Sequence, residues 1–439
     1  MYDTVFIEGK KKPTAILLYE FFVNDAGSAA SNKGMPGIRL VPEAVVSECT
    51  DMEEIETSIT GVMDDVVAVL TRPLTAEEES PKPKEVEKPS RIIFKGNLEE
   101  VNRFFYQRGW ADGLPVIPPT EEAVAEMLTG TDLPPDHSVA ELEPRLGKAT
   151  VEKIAINAVM AGALPTYMPV LIAGVKALKS GSPGTIMMSA STGSFAPVWI
   201  VNGPIRNDLH INSYYGAMSP GDMANSAIGR AIRLITQNMR GVRKGIEDMG
   251  VFGNPGKHAL VIAENEEANP WEPLHVERGF KKEDSTLTIT YSQSFQQSYS
   301  YSTDDKGLLR TVVYNMVPGG MGPLYLMLTP TNARSLAKKG WTKKDIKDYI
   351  VENARLPRDH FARFYGGGED KGDPQESIPI INLPPGRPNP IQILVVGGMG
   401  SWVGLLSGGQ TVIEKIELPA NWDKLVAKYK NVVPTYARY

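Results

Sequence analysis

Cysteine is almost absent: Cys49 is the single thiol in 439 residues. One thiol cannot make an internal disulfide, a cysteine-based zinc site or an iron–sulfur cluster. Histidine is scarce too. The five (His137, His210, His258, His275, His360) form no H-x-x-x-H pair, so a metal-ligand signature is missing and no metal is expected. Positive charge is not in surplus, since Lys+Arg 46 against Asp+Glu 52 leaves a net charge of −6. Nucleic acid is therefore not an expected partner, for want of a general phosphate-neutralising field. Long apolar runs are also missing. The longest, 168–178, is broken by Lys176 and falls far short of the roughly 20 residues a membrane helix needs. The first residues, MYDTVFIEGKKK, put a basic cluster after a short mixed segment with no apolar h-region, so a cytoplasmic protein without a membrane partner is expected. No G-x-x-x-x-G-K-[ST] and no G-x-S-x-G occurs, which removes P-loop chemistry and a hydrolase nucleophile elbow.

What the chain does have is globular composition, 42% hydrophobic and 22% charged, over a length that fits two or three domains. Residues 76–92 read as a linker: three prolines alternate with charges, too little apolar surface to offset the entropy of ordering. The linker divides a small unit, 1–75, from a large one, 93–439. The small unit reads as β-α-β-α, with strands at 14–19 and 38–41 and helices at 20–33 and 51–70. The second helix carries Ile55, Ile59, Val62, Met63, Val66, Val67 and Leu70 at a 3.6-residue period. Two strands and two helices are too few for a stable doubly wound sheet. This half-sized unit is expected to dock on the large one or to complete the sheet of another chain. In the large unit, 151–164, 168–181, 222–239 and 342–353 show helical patterns, while 184–191, 196–204, 258–265, 285–293 and 391–398 read as strands. The Ser/Tyr/Gln tract 290–303 reads as exposed strand or loop. The alternation predicts an α/β fold with a mixed or mostly parallel sheet.

Four segments have the residues for chemistry. The first, VVGGMGSWVGLLSGG (395–409), comes after a strand, and Gly398, Gly400 and Gly404 approximate a dinucleotide turn that would present N–H groups to a phosphate at a helix N-terminus. Too little chain remains beyond it for the rest of such a fold. A plain strand-to-helix turn competes with it, as it does for the glycine runs 319–322 and 366–368, and no cofactor is strongly implied. The second, 264–279, sits at a strand's C-terminal end, where open α/β sheets place ligands. Glu264, Glu266 and Glu267 crowd there with His275, and crowded carboxylates raise one another's pKa, which suits acid–base work. A solvated acidic loop with a structural histidine is the alternative. The third, 202–230, offers Asn202, Arg206, Asn212, Tyr214, Tyr215 and Arg230, and Arg278 stands in the second segment. Arginines hold substrate carboxylates and amides orient polar groups, whereas an Asn/Gly turn and helix cap would use the same residue types. SASTGS (189–194) adds hydroxyls just upstream. The fourth, GWADGLPVIPPT (109–120), with Trp110 and Asp112, reads as rigid scaffolding.

GMPGIRLV and the helix ending in VLTRPLTAEE (34–79) resemble the second half of bacterial UGSC-motif (seleno)proteins. VNRFFYQRGWADGLPVIPPT, VEKIAINAVMAGA, IVNGPI, INSYYGA and IAENEEANPWEPLHVERG resemble large proteins related to that family. The resemblance implies thiol or selenol chemistry, but the Sec/Cys-Gly-Ser-Cys motif does not occur here, and Cys49, in SECTD, does not match its position. A separate small UGSC-like or cysteine-containing chain would then bring the nucleophile, with Arg206, Arg230 or Arg278 lowering the thiolate's pKa. The leading expectation is thus one subunit of a hetero-oligomeric enzyme, or of a homo-oligomer, acting on a small polar organic molecule. Thiol- or selenol-linked redox, or carbon–sulfur chemistry, would use the partner's sulfur or selenium. Two alternatives stand beside it: a self-contained lyase or hydrolase using the 264–278 loop, and a non-catalytic binding or scaffold protein.

Overall fold

Strand-forming residues are densest at 286–299, where Leu287, Ile289 and Tyr291 alternate with Thr286, Thr288 and Thr290. The two faces of one strand therefore carry different chemistry. In the computed structural model, which describes residues 2–45, 51–79, 90–300, 304–316, 324–359, 372–381 and 388–437, this segment is the axis of the main sheet. In chain order the strands are β1 (Ile16–Tyr19), β2 (Leu40–Glu43), β3 (Ser138–Leu142), β4 (Gly147–Thr150), β5 (Ala196–Asn202), β6 (Val261–Ala263), β7 (Thr286–Tyr299), β8 (Leu324–Leu328), β9 (Arg355–Pro357), β10 (Ser377–Pro379), β11 (Gln392–Val395), β12 (Trp402–Gly408) and β13 (Val412–Lys415). One sheet runs β11-β8-β12-β7-β5-β6, with β13 also on β7. β5 and β6 are parallel, as are β8 and β11, while β7 is antiparallel to β5, β12 and β13. The class is α/β with a mixed sheet.

The sheet curls. A register shift falls between Ser407 and Gly408 against β7, and such bulges add bend and twist. Glycine is needed there, because a Cβ on Gly408 would stand 1.8 Å from the Tyr291 carbonyl oxygen. The curl brings the sheet's two edges together: Asn265, just past β6, donates its N–H to Val395 O of β11 at 2.8 Å. Three cores result. Trp199, Val201, Leu287 and Ile289 pack outward on the helices Val151–Met160, Met168–Ser180 and Met223–Ile235. Leu326, Ile393 and Leu405 pack on the helices Asp305–Asn315, Pro330–Lys338 and Lys343–Asn353. Between the halves, Val198, Ile200 and Ile262 meet Tyr325, Met327 and Leu394. Each large side chain so buried stabilises the fold by roughly 1.5–3 kcal/mol. Among the described residues no helix is long and apolar enough to cross a membrane.

Several expectations need correcting. Residues 184–191 are not a strand but the helix Gly184–Ala190; a short apolar run has no period with which to tell the two apart. The helix expected to 239 ends at Ile235 and widens into a π turn, Thr236–Arg240. The start of the linker is ordered, since Ala76–Glu79 is a helical turn whose Glu78 pairs with Arg39 at 3.0 Å and Arg72 at 2.8 Å. Residues 80–89, Cys49, His360 and the glycine runs 319–322 and 366–368 lie outside the described residues.

In the N-terminal segment β1 and β2 pair in parallel across the helix Val23–Asn32, and Asp51 caps the helix Met52–Thr71 by accepting from Glu54 N. That helix buries none of its 20 residues. Met52, Ile59, Met63, Val67 and Leu70 form a stripe that is 38–68% exposed. Asp25, on the first of these two helices, is half-buried and feels the charge of Glu247 in the large unit. Burial first, and Glu247 second, push its pKa up to about 6 from 3.8. A raised carboxyl pKa gives stability that is complete below pH 3.8 and lost as pH rises through 6. Asp25→Asn is therefore expected to raise the melting temperature at about pH 7.5 and leave it unchanged at about pH 3.5, as read by thermal unfolding at both.

Candidate functional site

β5 alternates its side chains so that Val198, Ile200 and Asn202 point into the curl while Trp199 and Val201 point out. Asn202 is thus a polar residue at the mouth of an apolar interior. The chain turns sharply at Gly203, which has φ +86°, and a Cβ there would lie 2.2 Å from Asp284 O. The parallel neighbour β6 ends at Ala263, so Glu264 is the next inward position. It is fully buried and meets Asn202.

Asn202 Nδ2 donates to Glu264 Oε2 at 2.7 Å and to Glu266 Oε1 at 3.1 Å. Glu264 also accepts from Asn269 Nδ2 at 2.9 Å and Leu274 N at 2.8 Å. Burial pushes the Glu264 carboxyl up, against the opposing pull of Lys343 and these donors. Glu266 sits at the edge, with 12% of its side chain exposed, and its Oε1 accepts from Gly203 N at 2.7 Å. Arg206 Nε is 3.1 Å from the same oxygen, and His275 Nδ1 is 3.9 Å from it. Two atoms of this cluster, Asn202 Oδ1 and His275 Nδ1, are buried without a hydrogen-bond partner among the described residues. Buried polar atoms left open are uncommon and call for an explanation.

The structure therefore brings together Asn202, Arg206, Glu264, Glu266, Glu267 and His275. It gives Arg206 a different part from the one expected. Its donors reach Gly203 O, Glu264 O and both oxygens of Glu267, so most of them are spent on positioning the loop. Burial would raise the Glu267 carboxyl, but Arg206 holds it below the usual range. Asn212 is likewise engaged, with Asn225, Asp222 and the Tyr215 carbonyl. Arg230 stands elsewhere, bidentate on Asp112 at 2.9 Å and 2.9 Å and bonded to Pro115 O. The π turn completes this clamp on the 109–115 loop, Gln237 bonding Gly109 O and Ala111 O, and Asn238 bonding Trp110 O. Tyr214 and Tyr215 form an edge-to-face pair beside the Gly397 turn, where Gly397 N bonds Ser213 O. Arg278 is exposed at the end of the helix Leu274–Glu277.

The dinucleotide reading does not hold. After Gly397–Gly400 the chain continues as β12, not as a helix, so no helix N-terminus faces a phosphate. Gly398 instead accommodates the Tyr215 ring, 2.0 Å from where a Cβ would be, and Gly404 lies inside the strand against Met327 and Phe295. Sequence reasoning did not select Asn269, Gly203 or Lys343. Lys343 reaches this region from a helix distant in sequence, its Nζ on Glu272 O at 2.7 Å and Glu277 Oε2 at 2.6 Å, and no local pattern signals that. Among the described residues no group of three or more His, Cys, Asp or Glu could hold a metal ion. No family model matches the chain, and neither a curated protein nor a solved structure does.

Proposed function

We propose that the chain is a self-contained acid–base enzyme, of the lyase or hydrolase kind, acting on a small polar organic molecule at the Asn202–Glu264–Glu266–His275 cluster. One observation carries this reading: Asn202 bridges two carboxyl groups of unlike environment, Glu264 fully buried with its pKa raised and Glu266 at the solvent edge. Pairs of carboxyls whose surroundings set them apart are the usual basis for dividing acid and base roles. Glu266 takes a proton from the substrate, held in place by Gly203 N and Arg206. Burial favours the protonated form of Glu264. Asn202 Oδ1 and His275 Nδ1 offer the substrate an acceptor and a ring nitrogen.

A second reading keeps the partner-supplied sulfur or selenium of a UGSC-like chain, with the protein as one subunit. The exposed stripe of the helix Met52–Thr71 favours it, since contiguous exposed apolar surface marks interaction sites. One experiment separates the two. The purified chain, alone in D2O with hydroxy, oxo and amino acids, is expected to exchange carbon-bound protons, read by proton NMR. Exchange that appears only when a cysteine- or selenocysteine-bearing partner is added would overturn the self-contained reading in favour of the second.

A further inference from the structure

The helix Met52–Thr71 is apolar on two sides. Ile55, Val62, Val66 and Val69 are half-buried on the side that packs toward β2. Ile59, Met63, Val67 and Leu70 follow one another on the adjoining side and are exposed. A surface helix ordinarily carries one apolar stripe, turned to its own core, so the outer stripe is left for something else to cover. The helix is also acidic, with Glu53, Glu54, Glu56, Asp64 and Asp65 and no Lys or Arg. At 3.6 residues per turn, Glu53, Glu56 and Asp64 lie along the flank of the outer stripe, and all three are exposed. A second apolar surface opens at the start of the large unit. Ile92, Ile93 and Phe94 are exposed there, and Phe94 stacks on Phe104 at 4.4 Å, with Arg108 over the Phe104 ring at 4.5 Å. This surface is basic. Arg91 is paired with Glu121 and Glu152, whereas Lys95 and Arg108 are exposed and in no ion pair among the described residues.

Within one chain neither surface covers the other, since both are exposed. We propose that they meet between two copies: the chain forms a two-fold dimer in which the outer stripe of each helix Met52–Thr71 lies on the Ile92–Phe94 surface of the other copy. Each copy offers one surface of each kind, so two equivalent contacts form together and close the pair. Charge decides which faces meet. Acid lies against base in this pairing, whereas stripe on stripe would bring two acidic flanks together. The helix is about 30 Å long and about 10 Å across, so one contact covers on the order of 300 Å² on each side. Two contacts then reach roughly 1,200 Å², where specific interfaces begin. No residue of the acid–base cluster takes part, and the stripe is filled by a second copy and not by a different chain.

Analytical ultracentrifugation of the full chain tests this. The wild type is expected at twice the mass of one chain. Glu56→Lys with Asp64→Lys reverses the helix flank, and Lys95→Glu with Arg108→Glu reverses the basic surface. Each pair should weaken the dimer by at least about tenfold, because like charges then face each other in both contacts. Mixing the two variants is expected to restore it: in a mixed dimer one contact is wild type and the other joins the two reversed faces. A helix docked on its own chain would gain nothing from mixing. A wild type of single mass, an assembly larger than two copies, variants that dimerise as tightly as the wild type, or a mixture that stays monomeric would overturn the proposal. All four positions are exposed, and thermal unfolding checks that each variant keeps its fold. Should either fail to fold, Met63→Asp, in the outer stripe, decides it by yielding single chains, and a dimer as tight as the wild type would overturn the proposal.

Discussion

Glu266→Gln is expected to slow proton exchange by about 10²–10⁴-fold, the range that a positioned general base contributes. The substitution is nearly isosteric, and the donors from Asn202 and Gly203 that now converge on Oε1 can meet the amide oxygen. The fold should therefore survive, and the melting temperature checks that it does. The neighbouring Glu267 is the control. It is mostly exposed and bonded to Arg206 and Asn207, so Glu267→Gln should cost far less than Glu266→Gln if the cluster works as described. Equal losses at the two positions would reduce both to loop positioning and remove the base from the site. Exchange rates for the two variants, measured under the same conditions as the wild type, give the answer.

The largest effect on stability is expected at a pair distant from the chemistry. Asp112 has only 2% of its side chain exposed and is held by Nε and Nη2 of Arg230. Burial by itself would push the Asp112 carboxyl up, yet the bonds and charge of Arg230 hold it below the usual carboxylate range. Arg230→Met leaves a buried carboxylate without its cation, which costs about 3–5 kcal/mol in comparable settings. It also frees the carbonyls of Leu114 and Pro115. The double variant Asp112→Asn with Arg230→Met should recover part of that loss, because the unpaired charge is gone. Urea unfolding of the two proteins measures the difference. A double variant no more stable than Arg230→Met would place the cost in packing of the arginine stem instead.

The α/β class was legible because β5, β7 and β11 are apolar or alternating runs bounded by turns, and because caps such as Asp51 and Thr342 stand where helices begin. The proximity of Asn202 to 264–275 was legible only as two loops that each come after a strand. That β5 and β6 are parallel neighbours, and that the sheet curls until Asn265 reaches Val395, depends on pairings remote in sequence. The same holds for arginine. Residue type marks Arg206 and Arg230 as anion holders, but whether the anion is a substrate or the protein's own Glu267 or Asp112 is settled by tertiary structure. The Gly398 segment misled for a related reason: glycine permits a turn without specifying the element beyond it, and here that element is a strand.

The contact between Asn265 and Val395 has a consequence for access. Elsewhere neighbouring strands of the main sheet are joined by ladders of several residues, whereas among the described residues the edges β6 and β11 share this one backbone bond, worth on the order of 1 kcal/mol net, beside the core packing that holds Ile262 and Leu394. Separating those two edges demands far less backbone rearrangement than global unfolding, which for a domain requires roughly 5–15 kcal/mol. Local opening at such low-stability points is the ordinary route by which solvent reaches a folded interior. The seam adjoins Glu264 and Asn202, so the same geometry that hides their polar atoms also sets them beside the junction with the fewest backbone bonds among the described residues. An opening there would bring solvent to Glu264 and Asn202 from the side where Glu266 already stands at the edge.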